Sequence, residues 1–527
     1  MTDEARAADT AALVEQLVTD QVASKLAAGD ATLWGPDAES EASIRLAWTR
    51  LHETSRPLRG EIEALRSELN AEGVDRVVLA GMGGSSLAPE VITNTAGVPL
   101  VVLDTTDPGQ VADALEGDLS RTVIVVSSKS GSTVETDSHR RIFEKAFADN
   151  DVDPASRIVV VTDPGSPLEA ASKEAGYRRV FPADPHVGGR YSALTAFGLV
   201  PAGLAGANIG ALLDEAAGIA PRLAVDSAEN PAIQLAAALG AAHGHGAEKV
   251  VFADTGSGIK GFGDWVEQLI AESTGKNGTG LLPVVVESPD APGFADAGPD
   301  ATPVAIGPAV SGGLSTEGSL GELMLLWEFA TALVGRLLGI DPFDQPDVEA
   351  AKKAARSLLD APKSEPAEPT FTDGPVEVHA PAGLAVGTTL TEALRAFFDA
   401  VPDLGYLAVQ AYLDRLADAS ATVLRPEIAR LTGKQTTFGW GPRFLHSTGQ
   451  YHKGGHQNGA FLQLTGSVEQ DLPVPDRPYT LGTLQLAQAL GDGQVLTEHG
   501  RPVLRLHLTD RAAGLAHLVK ALQEVGR

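Results

Sequence analysis

From the start of the chain to about residue 70, apolar residues recur at steps of three and four, as at Leu13, Leu17 and Val22. That period predicts amphipathic helices. The pattern then changes to short β-branched runs at Arg76–Ala80 (RVVLA), Pro99–Leu103 (PLVVL), Thr122–Ser127 (TVIVVS) and Arg157–Thr162 (RIVVVT). These runs are apolar throughout rather than alternating. Strands buried on both faces read this way, so a parallel sheet between helical layers is expected. The pattern restarts after about residue 225, where Lys249–Ala253 (KVVFA) and Pro283–Glu287 (PVVVE) alternate with helices near 231–244, 264–274 and 320–338. A stretch rich in Pro, Glu and Ala over 361–385 reads as a linker. The expected architecture is α/β: a helical segment (1–70), two units with parallel sheets flanked by helices (71–220 and 221–360), the linker, and a C-terminal α/β region (386–527). At roughly 100–200 residues per domain, 527 residues accommodate this division.

Composition narrows the partners. Lys and Arg number 40 against 69 Asp and Glu, a formal charge of −29, which repels nucleic acid and anionic lipid. A site for an anionic ligand must then be built locally, against the global field. Cysteine is absent, which removes disulfides, thiolate metal sites and cysteine nucleophiles together and fits a reducing interior. The N-terminus (MTDEARAADTAALVEQL) lacks the basic start and apolar core of a signal peptide. The longest apolar spans, Phe197–Leu213 and Leu323–Ile340, are interrupted by Pro201 and glycines in one case and by Glu328 and Arg336 in the other. A soluble cytoplasmic protein is expected.

Two loops carry chemistry. The first strand runs into Gly81-Met82-Gly83-Gly84-Ser85-Ser86 ahead of a helical stretch. Glycines let a backbone approach a ligand, and a helix N-terminus offers free N–H groups to an anion; a tight turn without a ligand is the alternative. The dinucleotide-binding spacing fails at Ser86, and neither Gly275-Lys276 nor Gly433-Lys434 is followed by the hydroxyl of a P-loop. The third strand runs into Ser127–Thr133, with five hydroxyls and Lys129 at the end of a strand where open parallel sheets bind ligands. Hydroxyls and backbone amides satisfy phosphate oxygens without a large positive charge. This loop reads as a phosphate cradle, or alternatively as a Ser-rich helix cap.

Five segments, in order, then resemble the glucose-6-phosphate isomerase family, built from sugar-isomerase (SIS) domains. They are Gly81–Pro89 (GMGGSSLAP), Ser128–Thr136 (SKSGSTVET), His186–Ser192 (HVGGRYS), Glu267–Lys276 (EQLIAESTGK) and Phe343–Lys352 (FDQPDVEAAK). The resemblance implies two SIS-type domains and a place in glycolysis and gluconeogenesis. It gives Glu272 the role of base in the proton transfer between adjacent sugar carbons, and Arg190 the stabilisation of the developing oxyanion. It makes Lys352 a ring-opening group. Ser128, Lys129, Ser130 and Thr133 become phosphate contacts, with Gln345 nearby. Gly84 and Ser85 become backbone and hydroxyl contacts to substrate. Gln268, one helical turn before Glu272, helps position it.

The resemblance departs from the family in one respect. The family's ring-opening histidine lies between the base and the lysine, and no histidine occurs between Glu272 and Lys352. Instead Gly441–Gly455 reads GPRFLHSTGQYHKGG, later in the chain. With Gly405–Arg415 it resembles the C-terminal region of transaldolase–isomerase fusions, although the chain is too short to hold a transaldolase barrel as well. His446 is the expected proton shuttle at the ring oxygen, with His452 or His456 as alternatives. In the family the neighbouring subunit often supplies this histidine, so a homodimer is the expected assembly. No cofactor and no metal is expected. The implied activity is interconversion of glucose 6-phosphate and fructose 6-phosphate. The competing readings are a dual phosphoglucose/phosphomannose isomerase and a non-catalytic sugar-phosphate-binding SIS protein. The isomerase part of a glutamine-dependent aminotransferase is disfavoured, because that enzyme releases ammonia with a cysteine and this chain has none.

Overall fold

The computed structural model describes residues 3–310, 313–360, 368–381 and 383–526; within the helix Val348–Asp360 the side chains of 348, 349, 351, 352 and 360 lie outside the described set. The first sheet contains β1 (Arg76–Gly81), β2 (Val101–Leu103), β3 (Thr122–Ser127), β4 (Ile158–Thr162) and β5 (Arg179–Pro182), in the order β2-β1-β3-β4-β5, all parallel. Every residue of β3 and β4 is buried, as their unbroken apolar runs require. The second sheet is also parallel: β6 (Lys249–Asp254), β7 (Leu282–Val285), β8 (Ala301–Ile306) and β9 (Leu314–Thr316), in the order β7-β6-β8-β9. Short β5 and β9 lack an apolar run, and Pro303 interrupts β8, so these three strands had no clear signature in the pattern.

The third sheet holds β10 (Phe371–Asp373), β11 (Val376–His379), β12 (Tyr406–Tyr412), β13 (Gln435–Trp440), β14 (Gly459–Gly466) and β15 (Val503–Leu508), in the order β10-β11-β15-β14-β12-β13. Strands β12 to β15 are parallel, while β10 and β11 form an antiparallel hairpin laid on β15. The segment expected as a linker over 361–385 therefore contains an ordered hairpin. Its two-residue turn is Gly374-Pro375, with Gly374 at φ 57°, within the Pro- and Glu-rich composition that masked the strands. Residues 361–367 and 382 of that segment lie outside the described set.

One core joins the N-terminal helices to both parallel units, burying Trp48, Ile62, Leu199, Trp265 and Trp327. A second fills the third region around Phe397, Leu407, Leu462 and Leu506. A third cluster sits between the second and third sheets, where Val251 and Val284 pack with Tyr406 and Phe461. The third region is thus held against the others by apolar burial. The apolar span read at Leu323–Ile340 belongs to a buried helix, Leu320–Leu338. Among the described residues, no helix is long and apolar enough to cross a membrane.

Candidate active site

The first sheet reverses its strand order between β1 and β3. A crevice opens there beyond the carboxyl ends of the strands. Gly81 and Ser127 are partners at those ends, so the Gly-rich and Ser-rich loops emerge side by side. They border a cavity of about 430 Å³ whose walls include Gly84, Ser85, Ser128, Ser130, Thr133, Gln268, Glu272, Gln345 and His446. Residues spread over more than three hundred positions of sequence thus meet in one place.

The Gly-rich loop needs glycine for a steric reason. A Cβ on Gly84 would lie 1.9 Å from the backbone oxygen of Gly189, so this loop and the one carrying Arg190 touch backbone to backbone. In the Ser-rich loop the Ser128 hydroxyl donates to Thr133 Oγ1 at 3.2 Å and accepts from the Gly131 amide at 3.1 Å, and Gly131 takes φ 73° to close the turn. Ser130 and Ser132 share a 2.7 Å hydrogen bond. The loop feeds the helix Val134–Asp149, whose N-cap Thr133 makes no side-chain cap bond. Its first amides are left for an anion, reinforced by the positive end of the helix dipole. Lys129 borders the cavity, but its ammonium is 2.7 Å from Asp163, which offsets its charge.

The base lies on the helix Phe262–Thr274. Its apolar face (Trp265, Val266, Leu269, Ile270) packs into the core and turns Gln268 and Glu272 together toward the cavity. Glu272 is 5% exposed. Gln268 Nε2 donates to Glu272 Oε1 at 3.4 Å and to the His446 carbonyl at 2.8 Å. Gln268 Oε1 is buried without a hydrogen-bond partner among the described residues, an acceptor suited to a substrate hydroxyl.

Arg190 stands behind this wall rather than lining it. Its Nη1 lies 3.5 Å from Glu272 Oε2 and 3.4 Å from Gln345 Oε1. The other donors reach Ser273 Oγ (3.0 Å) and the carbonyls of Pro342 (2.6 Å) and Asp344 (2.9 Å). Four hydrogen bonds and the ion pair to Glu272 thus hold the guanidinium, the two contacts through Nη1 being the longest. Lys276 grips the same loop through the Asp341 and Asp344 carbonyls. Burial, and then the nearby Arg190, lower its ammonium to about 8. These two cations anchor residues 341–345 and so place Gln345 at the cavity.

His446 arrives from the far end of the chain, and polar contacts pin its segment. Arg443 binds Glu90 at 2.6 Å, Asp104 at 2.8 Å and Asp264 at 3.1 Å. Burial raises Glu90, but Arg443 and Arg415 outweigh it and hold this carboxyl down at about 2. Gln450 donates to the Gly275 carbonyl and to Asp347, tying the segment to the end of the base helix. His446 Nε2 then lies 3.1 Å from Glu135 Oε1. A carboxylate accepts, so Nε2 carries the hydrogen of this contact. Gln488 Nε2 also donates to Glu135 Oε1, at 2.7 Å. The two alternative histidines sit elsewhere. His452 is buried against Tyr406, whose hydroxyl is 3.0 Å from Nδ1, and burial drives it well below the usual imidazole range. His456 is exposed and paired with Glu248.

The Lys352 side chain lies outside the described residues; Ala355, Arg356 and Leu359 of its helix border the cavity. The sequence reading passed over Glu135, Gln488 and Lys453, which line the same cavity. Glu135 stands inside the quoted Ser128–Thr136 match, where only the hydroxyls and Lys129 drew a role. Gln488 and Lys453 carry no motif signal.

A hydroxyl-and-amide cradle, a buried carboxylate backed by a guanidinium, and a carboxylate-paired histidine in one cavity define a sugar-phosphate isomerase. The phosphoglucose isomerase family model matches residues 51–288. A probable glucose-6-phosphate isomerase of Haloarcula marismortui is 31% identical over 341 residues, covering 54% of this chain and 78% of that protein. Its counterpart in Natronomonas pharaonis is 31% identical over 366 residues, covering 59% and 85%. A hypothetical protein of Thermus thermophilus superposes with a TM-score of 0.56 at 26% identity, covering 68% of this chain and 97% of that one. The chain belongs to the glucose-6-phosphate isomerase family.

Proposed function

We propose that this chain interconverts glucose 6-phosphate and fructose 6-phosphate, with the whole site supplied by one subunit. The observation that carries this reading is the Glu272 carboxylate, in the cavity that also holds the phosphate cradle and within 3.5 Å of Arg190. The 6-phosphate sits against Ser128, Ser130, Thr133 and the first amides of the helix Val134–Asp149. Glu272 removes the proton from C2 of the open aldose and returns it to C1. The hydroxyl proton moves from O2 to O1 in the same passage. Gln268 holds an enediolate oxygen, and Arg190, 3.5 Å behind the Glu272 carboxylate, stabilises the developing charge. A guanidinium suits this because it stays charged throughout.

Hexose phosphates are mostly closed rings, so opening needs a base at the anomeric hydroxyl and an acid at the ring oxygen. The resemblance gives His446 the proton shuttling at the ring oxygen, a role its pairing with Glu135 supports. Lys352 is the other ring-opening group to which the resemblance points. Because His446 reaches this cavity within a single chain, the reading needs no histidine from a homodimeric partner. The likeness of residues 405–455 to transaldolase–isomerase fusions bears on this third region alone, as the supplier of His446.

The test is the Glu272→Gln variant beside the wild type, assayed with glucose, fructose and mannose 6-phosphates and with inorganic phosphate as a binding probe. Aldose–ketose turnover should collapse in the variant while phosphate binding persists. Wild-type turnover of mannose 6-phosphate would broaden the substrate assignment. Undiminished turnover in the variant would remove Glu272 as base and the proposal with it.

A further inference from the structure

Glu135, the partner of His446, is itself held by a side chain that has no part in the mechanism above. It lies in the first turn of the helix Val134–Asp149 and is buried. Its Oε1 meets two donors, both from the third region: His446 Nε2 at 3.1 Å and Gln488 Nε2 at 2.7 Å. Gln488 lies in the helix Leu481–Glu498, is buried and borders the same cavity. The orientation of its amide is fixed. The hydroxyl of Thr106, a wholly buried residue three positions after β2, donates to Gln488 Oε1 at 2.8 Å, which turns the NH2 group to Glu135. Thr106, Gln488, Glu135 and His446 thus form one chain of contacts that alternates between the first unit and the third region.

The helix carrying Gln488 is anchored where this contact needs it. Leu481 and Leu484 belong to the apolar cluster that holds Val111 and Phe143 of the first unit, and Gln485 Nε2 reaches Asp107 Oδ2 at 3.4 Å. Gln488 follows Leu484 by four residues and so faces the same way. A leucine at 488 would extend this apolar face, whereas a buried amide gains only what its hydrogen bonds return. The bond it makes goes to a carboxylate, and bonds to charged groups are the stronger ones. An amide donor stabilises the charged form of the carboxyl it meets. The oxygen it meets here is the same oxygen that faces the imidazole.

We propose that Gln488 is a positioning residue for ring opening: oriented by Thr106, it fixes Glu135 Oε1 against His446 and keeps that carboxylate charged while the imidazole gains and loses a proton. The proposal rests on the isomerase reading above. Gln488 acts through Glu135 and His446, and it makes ring opening depend on the seating of the third region against the first unit. The other titratable groups around Glu135 leave the charge of the pair to be set by this contact. His139, one turn further along the same helix, lies against the Thr105 carbonyl, and burial lowers it to about 4. Tyr412 of β12 is kept neutral by burial. Asp104 is paired with Arg443, and Lys453 at the cavity wall with Asp492.

The experiment measures catalysed exchange between the α and β anomers of glucose 6-phosphate by NMR magnetisation transfer, as a function of pH and alongside aldose–ketose turnover, in the full chain. Q488L removes the amide donor at similar volume. T106V keeps the amide but removes the hydroxyl that orients it, and T106S keeps that hydroxyl; circular dichroism reports folding for each. In Q488L exchange at neutral pH should fall about 10–100-fold, the scale of a hydrogen bond to a charged group. Its acid limb should move up by about one pH unit, because without the donor both Glu135 and His446 hold a proton more readily. T106V should show the same shift in smaller measure, T106S should restore the wild-type profile, and the KM for glucose 6-phosphate should hold in all three. A side chain that merely fills space would lower Tm and leave rate and pH profile as they were. That result in folded Q488L, or in T106V where Q488L does not fold, overturns the proposal. E272Q should lose turnover and keep exchange. Retained turnover there counts against the isomerase reading and leaves the exchange profile to decide on Gln488 separately.

Discussion

Gly84→Ala puts a methyl group where the fold has no room. The new Cβ would lie 1.9 Å from the Gly189 oxygen and 2.4 Å from its carbon, and both are backbone atoms that cannot swing aside. An ordinary contact begins near 3.4 Å, so the two loops must part by about 1.5 Å. Gly189 immediately precedes Arg190, and the displacement passes to a guanidinium now 3.5 Å from Glu272. It also strains the bond from the Ser192 hydroxyl to the Gly84 carbonyl, 3.3 Å long. Misplacing a positioned group by about 1 Å can cost about 10²-fold in rate. The expected outcome is a kcat about 10²-fold lower, with a loss of stability of about 1–3 kcal/mol from overpacking. Initial rates of fructose 6-phosphate formation, with a melting curve on the same preparation, measure both. A wild-type kcat with an unchanged Tm would refute the idea that backbone contact between these loops sets the position of Arg190.

Arg190→Ala should lower kcat by about 10²–10³-fold, the scale of losing one oxyanion donor. It should also lower Tm, because the carbonyls of Pro342 and Asp344 lose a donor; a wild-type rate would contradict the role. The Glu90 carboxyl is held at about 2 in the fold against 4.5 unfolded, so its contribution to stability is complete above pH 4.5 and is lost as pH falls toward 2. Denaturant titrations of wild type and Glu90→Gln should differ by at most about 3 kcal/mol at pH 7, and the difference should shrink between pH 4.5 and 2; a constant difference across that interval would count against the Arg443 and Arg415 pairing.

Much of the site was legible because local chemistry and local structure coincide there. Ser128–Thr133 combines hydroxyls with a strand end and a helix start, and Gln268 and Glu272 stand one turn apart on a helix with a strong apolar face. Such features need only a few consecutive residues. The setting of Lys453 was not legible, because its ion-pair partner Asp492 lies 39 positions away. The same holds for Glu135, whose partners His446 and Gln488 lie 311 and 353 positions downstream. Pro303 hid β8, and a Pro- and Glu-rich composition hid the hairpin Phe371–His379.

By itself the sequence determined the layered α/β class, since unbroken apolar runs can be satisfied only inside parallel sheets covered on both faces. It also marked Ser128–Thr133, Gln268, Glu272 and His446 as candidates, and these the cavity brings together. Only the tertiary structure decided which of three histidines enters the cavity, that Arg190 stands behind the base instead of facing the substrate space, and that one helix carries Gln488 and Asp492, the partners of Glu135 and Lys453. Burial and hydrogen-bond geometry settle such matters, and both depend on contacts between residues hundreds of positions apart, which no local pattern encodes.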